Sequence, residues 1–104
     1  HTPLIMVLGH ESCGAVQAAI AATDNNQQFP GHIQSITSAL APAVRAVDKE
    51  AENRVDKVVR MNVIQNVEEL KKQTPILSKL VAEKKLLVVG GVYSLRTGKV
   101  ELVA

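Results

Sequence analysis

The sequence predicts an α/β fold: a mostly parallel sheet flanked by helices, with an antiparallel hairpin at its C-terminal edge. Three observations carry this. Two apolar runs without polar alternation, at residues 4–8 and 86–90, read as strands buried on both faces, the pattern of parallel sheets. The chain between them reads as helices and turns, and such a long helical crossover makes the two strands parallel and right-handed. A short run at 100–103 then follows a Gly-containing turn, which reads as a hairpin strand antiparallel to the second.

The elements follow in order. Leu4-Ile5-Met6-Val7-Leu8 forms the first strand and runs into Gly9-His10-Glu11-Ser12-Cys13-Gly14. Residues 14–22, rich in Ala, read as a short helix, with Ser12 as its candidate cap. Asp24 to Gln28 is a polar turn closed by Phe29-Pro30-Gly31. A second helix is expected from His32 to Val47, with Ile33, Ile36, Leu40, Val44 and Val47 at helical spacing and Pro42 kinking or splitting it. Glu52 to Lys72 carries the longest helical stripe, Val55, Val59, Val63, Val67 and Leu70. On that helix Asn62 and Asn66 lie one turn apart, facing a polar contact or solvent. Pro75 opens a further short helix with Ile76, Leu77, Leu80 and Val81. Gly90-Gly91 in the second strand suggests close backbone approach or a bulge. The chain then passes Val92-Tyr93-Ser94-Leu95, turns at Arg96-Thr97-Gly98-Lys99 and returns as Val100-Glu101-Leu102-Val103.

Bulk composition excludes several classes. At 104 residues the chain holds one domain at most. A net charge of +2 with scattered basic residues argues against nucleic acid, as does the lack of aromatic stacking platforms beyond Phe29 and Tyr93. No apolar run is long enough to span a membrane. The one Cys rules out an internal disulfide framework and fits a reducing compartment such as the cytoplasm. The opening His1-Thr2-Pro3 enters an apolar strand at once. It reads as an interior or C-terminal piece of a longer protein, whose export signal, if it has one, would lie elsewhere.

Chemistry concentrates at the end of the first strand. His10 and Cys13 lie three apart where strand turns into helix. The carboxyl ends of parallel strands are where open α/β sheets bind ligands, and a helix N-terminus favours a thiolate. Structural zinc takes four protein ligands, and catalytic zinc usually three plus water or substrate. Of the other two His, His1 is the first residue and His32 lies in a Pro-Gly-His loop; neither is placed to join the pair. The spacing leaves two readings open: part of a metal site completed elsewhere, or a buried Cys acting as a small hydrophobe beside a loop His.

Three stretches together resemble the β-class carbonic anhydrases. They are Gly9-His10-x-x-Cys13-Gly14-Ala15-Val16 after an apolar strand; Asn62-Val63 and Val67-x-x-Leu70 followed by Thr74-Pro75-Ile76-Leu77; and Leu87-Val88-Val89-Gly90-x-Val92-Tyr93-x-Leu95-x-Thr97-Gly98-x-Val100. The resemblance covers essentially the whole chain but about the C-terminal half of the family's domain. Residues 1–104 are therefore expected to be the C-terminal part of a single domain with a partial β-carbonic-anhydrase fold.

The resemblance implies roles. His10 and Cys13 would be two of three protein ligands to one zinc ion. The third, a Cys, would come from an upstream Cys-x-Asp-x-Arg strand that this sequence lacks, and the catalytic Asp and Arg would lie there too. The Gly14 backbone would support the Cys13 thiolate, while Gly9 and Gly14 let the chain turn tightly. Tyr93 would border a substrate or anion region, or else be a packed strand-end tyrosine. Ser94 stands where the family often has Asp, a change expected to alter a local surface bond rather than the chemistry.

The implied activity is that of a lyase, carbonate dehydratase: reversible hydration of carbon dioxide to bicarbonate by attack of zinc-bound hydroxide. Zinc makes its bound water acidic enough to ionise near neutral pH, an effect for which carbonic anhydrases are the usual illustration. With one ligand missing, the 104-residue chain alone is expected to be inactive. The alternatives are a non-catalytic remnant or assembly module with an incomplete metal site, and a carbonyl sulfide or carbon disulfide hydrolase of the same fold. Expected partners are the small-molecule substrate and either a second copy, in a homo-oligomer of two or more, or the missing N-terminal segment. Neither nucleic acid nor membrane is expected.

Overall fold

In the computed structural model, which describes residues 3–73 and 75–104, the order is β1 (Leu4–His10), α1 (Gly14–Asn25), α2 (His32–Ala46), α3 (Arg54–Lys71), α4 (Ile76–Ala82), β2 (Leu87–Tyr93) and β3 (Val100–Leu102). His1 and Thr74, both singled out in the sequence, lie outside the described residues. The three strands form one sheet in the order β1-β2-β3. β1 and β2 pair in parallel from Leu4 opposite Leu87 to His10 opposite Tyr93. β3 runs antiparallel to β2, with Leu102 opposite Gly91 and Val100 opposite Tyr93. Gly98 takes φ +72 in the connecting turn, and its N–H donates to the Ser94 carbonyl at 2.8 Å. The α/β class, the parallel crossover and the C-terminal hairpin are all as the sequence predicts.

α3 is the helix that lies across β1 and β2. Its buried residues are Val58, Val59, Val63 and Val67, and full burial of a valine stabilises by about 1.5–3 kcal/mol. No side chain caps its N-terminus at Asn53, so the helix depends on this packing. The sheet meets it with glycines. A Cβ on Gly9 would sit 2.8 Å from Val63 Cγ2, and one on Gly90 would sit 2.5 Å from Val63 Cγ1 and 2.9 Å from Val67 Cγ2. Gly91 faces the other way, where a Cβ would meet Val100 Cγ1 at 2.7 Å. The Gly90-Gly91 pair therefore serves close approach on both faces, and the β1–β2 register passes through it unbroken.

Three expectations are corrected. β1 is not buried on both faces: it alternates, with Ile5 and Val7 half-buried and packed on the core, but Leu4, Met6 and Leu8 exposed. The reason is that α3 covers one side of the sheet, and among the described residues no helix packs extensively on the other. In α2 the expected stripe is only partly buried. Ile33 and Ile36 are 46% and 49% exposed, while Thr37, Ala43 and Val44 are buried. Pro42 does not split α2, which runs on through Ala46. The burial of Ala43 and Val44 directly after it offsets the missing backbone bond.

A largely buried ion pair ties the helices together. The Arg54 guanidinium holds both oxygens of the Asp24 carboxylate, with Nη2 to Oδ1 at 3.2 Å, and Nη2 also reaches the Val44 carbonyl at 3.5 Å. Each side chain is 14% exposed. Arg54 begins α3, where the helix dipole disfavours a cation, and Asp24 compensates it. The hydrogen bond from Arg54 holds the Asp24 carboxyl below the usual aspartate range.

Two outcomes follow from this packing. Gly90→Ala should lower the unfolding free energy by about 1–3 kcal/mol, because the β-branched neighbours cannot swing aside; an unchanged urea midpoint would contradict this. Asp24→Asn should cost about 1–3 kcal/mol at neutral pH by leaving Arg54 without its anion. Because the folded-state pKa is depressed, the carboxylate's contribution is full above its unfolded value of about 3.9 and fades as pH falls through the folded value. Denaturation midpoints of the wild-type chain and Asp24→Asn, measured from neutral to acid pH, should therefore converge at the acid end.

Candidate metal centre

β1 ends on His10 and α1 begins at Gly14, so His10 and Cys13 share one short loop at the carboxyl end of a parallel strand. His10 is exposed and the free thiol of Cys13 is half-buried. Cys13, not Ser12, occupies the N-cap position of α1, in extended backbone (φ −66, ψ 114) and without a side-chain capping bond. Ser12 instead makes the sharp reversal, with φ +54, a conformation in which its hydroxyl caps nothing. α1 has no acidic residue in its first turn, and Cys13 lies at the positive end of its dipole.

His10 is held in one tautomer. Its Nδ1 lies 2.9 Å from the Glu11 carbonyl oxygen, which can only accept, so the proton sits on Nδ1. That leaves Nε2 as the ring nitrogen for a metal, and ligating histidines commonly have their other ring nitrogen fixed in this way. An imidazole nitrogen and a thiolate sulfur are donors that suit zinc. They are two donors: no cluster of three or more His, Cys, Asp or Glu suited to a metal occurs among the described residues. His32, the exposed first residue of α2, does not join them.

Only one glycine of the motif has a packing reason. Gly9 admits α3, while a Cβ at Gly14 would meet nothing within 4 Å. Tyr93 is half-buried and lies opposite His10 in the β1–β2 ladder, and its carbonyl accepts the Glu11 N–H at 3.0 Å. Asn66 donates to the Asn62 carbonyl at 2.8 Å and to its side-chain oxygen at 3.0 Å, so that pair satisfies itself at the surface of α3.

Glu11 is the residue that sequence reasoning left without a role. Its Oε1 accepts from the Ser94 hydroxyl at 2.7 Å and from the Arg96 N–H at 3.1 Å. Ser94 Oγ in turn accepts the Thr97 N–H at 3.2 Å. The Ser94 hydrogen bond, with the Arg96 amide second, holds the Glu11 carboxyl below the usual glutamate range. The local bond expected at Ser94 is thus one to the loop that carries His10 and Cys13. Two open grooves, of about 450 and 530 Å³, share Glu11 and Asp56 as lining residues. The first also takes in Ser12, Gln17 and Arg54, and the second Arg60, Arg96 and Lys99.

Both the sequence and the fold match known proteins. The family model described as carbonic anhydrase matches residues 1–100. Carbonic anhydrase 2 of Mycobacterium tuberculosis is 34% identical over 102 residues, covering 98% of this chain and 49% of that protein. The carbonic anhydrase of Mycolicibacterium smegmatis is 34% identical over 100 residues, covering 96% and 48%. Among solved structures, a tetrameric β-carbonic anhydrase of Sordaria macrospora superposes with a TM-score of 0.78 at 20% identity, covering 97% of this chain and 52% of that one. The Coccomyxa β-carbonic anhydrase in complex with acetazolamide also gives 0.78, at 25% identity, covering 97% and 46%.

This chain belongs to the carbonic anhydrase family, and its fold is that of the β class. It spans about half the length of the curated relatives it matches.

Proposed function

We propose that the chain carries part of a zinc site for the reversible hydration of carbon dioxide to bicarbonate, and that it corresponds to the C-terminal part of a β-class domain. His10 Nε2 and Cys13 Sγ would hold the metal. The observation that carries this reading is the His10 Nδ1 bond to the Glu11 carbonyl, which leaves Nε2 free three residues from a thiol at the amino end of α1. Zinc, when bound, supplies the Lewis acidity that lets water act as a nucleophile near neutral pH. The chain's own part is to hold and orient. The Glu11 carbonyl fixes the imidazole, Cys13 sits at the amino end of α1, and the Gly14 backbone would support its sulfur. Tyr93, beside His10, would border the substrate region.

Metal binding tests the assignment. With the upstream segment present, Cys13→Ser and His10→Ala should each abolish stoichiometric zinc measured by atomic absorption, and zinc retained by Cys13→Ser would count against it. With two donors in place of a complete set, the purified chain with added zinc should hydrate carbon dioxide only weakly in a stopped-flow indicator assay. Turnover on a par with the M. tuberculosis relative would mean that another group completes the site. A second reading, an assembly module without catalysis, is favoured by the donor count alone; it requires that no zinc be bound even when a complementing segment is supplied.

The same reading extends to assembly. The outer edge of β1 pairs with no strand among the described residues, and the face carrying Leu4, Met6, Leu8, Leu87, Val100 and Leu102 is exposed. Apolar edges of this kind attract further strands. The S. macrospora β-carbonic anhydrases are tetrameric. A second copy, or a segment equivalent to the other half of the relatives, would cover this face. Sedimentation should find the chain alone associated; a well-folded monomer would contradict this.

A further inference from the structure

We propose that Glu11 is a positioning residue for the metal loop, setting the orientation of the His10 imidazole by clasping the β2–β3 hairpin. This inference rests on the reading of His10 and Cys13 as zinc ligands. Glu11 is bound to its surroundings from three sides. Its side chain accepts from Ser94 Oγ and the Arg96 amide, its N–H donates to the Tyr93 carbonyl, and its carbonyl accepts from His10 Nδ1. A single peptide unit separates the hairpin contacts from the bond that fixes the ring. The hairpin end is firm in its own right, since Ser94 exchanges backbone bonds of 2.8 Å with Lys99 and Gly98 and its hydroxyl takes the Thr97 amide.

The loop needs such an anchor. Ser12, the next residue, sits at φ +54, in the left-handed region that costs a non-glycine residue about 1–2 kcal/mol. Freed of the clasp, the Glu11-Ser12 segment would relax toward ordinary backbone angles. The Glu11 carbonyl would turn with it, and the imidazole would lose its fixed direction and tautomer.

Cobalt(II) is the probe for a test on the whole chain. Its thiolate charge-transfer and ligand-field bands report ligand geometry, and competition with a chelator gives affinity. Glu11→Ala should weaken cobalt binding by about 10–100-fold, as loss of a group supporting a ligand usually does, and should alter the ligand-field bands. Glu11→Gln keeps an oxygen that accepts the same two bonds and should restore most of the affinity. Ser94→Ala should weaken binding less than Glu11→Ala, and the double variant should be no worse than Glu11→Ala, because Ser94 acts through Glu11.

Wild-type affinity and bands in Glu11→Ala, with the charge-transfer band lost in Cys13→Ser, would overturn the positioning role and leave the metal reading standing. A charge-transfer band that persists in Cys13→Ser, or that is absent even when a complementing segment is supplied, would overturn the metal reading and this inference with it. Circular dichroism checks each variant for folding. If Glu11→Ala does not fold, Ser94→Ala decides: reduced affinity with shifted bands supports the clasp, and wild-type behaviour overturns it.

Discussion

Val63 of α3 stands over Gly9 of β1 and Gly90 of β2, and the side chains those two positions lack set how near the helix lies to the sheet. The placement of the metal loop follows from that approach along two routes. His10 comes directly after Gly9, so the seating of α3 on β1 fixes where the strand delivers its histidine. Arg54, at the other end of the same helix, grips Asp24 near the end of α1, whose first turn starts from Cys13. One helix thus positions both donors, one through the sheet and the other through an ion pair.

The sequence made the strands and α3 legible because unbroken apolar runs and a regular valine stripe leave little room for other readings. It did not disclose which faces would be covered. An unbroken apolar run such as residues 4–8 looks the same whether one side or both are packed, and Leu4, Met6 and Leu8 lie on the open side. Spacing in α2 gave the right element with a stripe only partly buried, since Ile33 and Ile36 keep the period of Val44 without sharing its burial. Pro42 lies inside α2 without splitting it. At the candidate site, the His10–Cys13 pair could be read from spacing, and the family from three stretches of sequence. The Glu11 clasp could not, because its partners are 83 and 85 residues away along the chain. The tautomer of His10 is likewise a matter of geometry, decided by a carbonyl that no residue pattern announces.

The sheet is asymmetric in what it asks of each surface. The α3 side holds Val88 and Val92 at a few per cent exposure, while the opposite side keeps its leucines open. Gly91 narrows that open side around Val100 and Leu8, so it is a shaped apolar surface and not a ragged remainder. Arg60 and Glu101 pair at 2.6 Å across α3 and β3, but both are substantially exposed, and such pairs contribute little to stability.

Tyr93 has a consequence of a different kind. The chain has no tryptophan and this single tyrosine, so its near-ultraviolet absorption and emission arise almost wholly from one ring. That ring belongs to the residue opposite His10 in the ladder, on the strand that leads into Ser94. The fold has in effect placed its only built-in optical reporter beside the loop, where local rearrangement can be followed without a label.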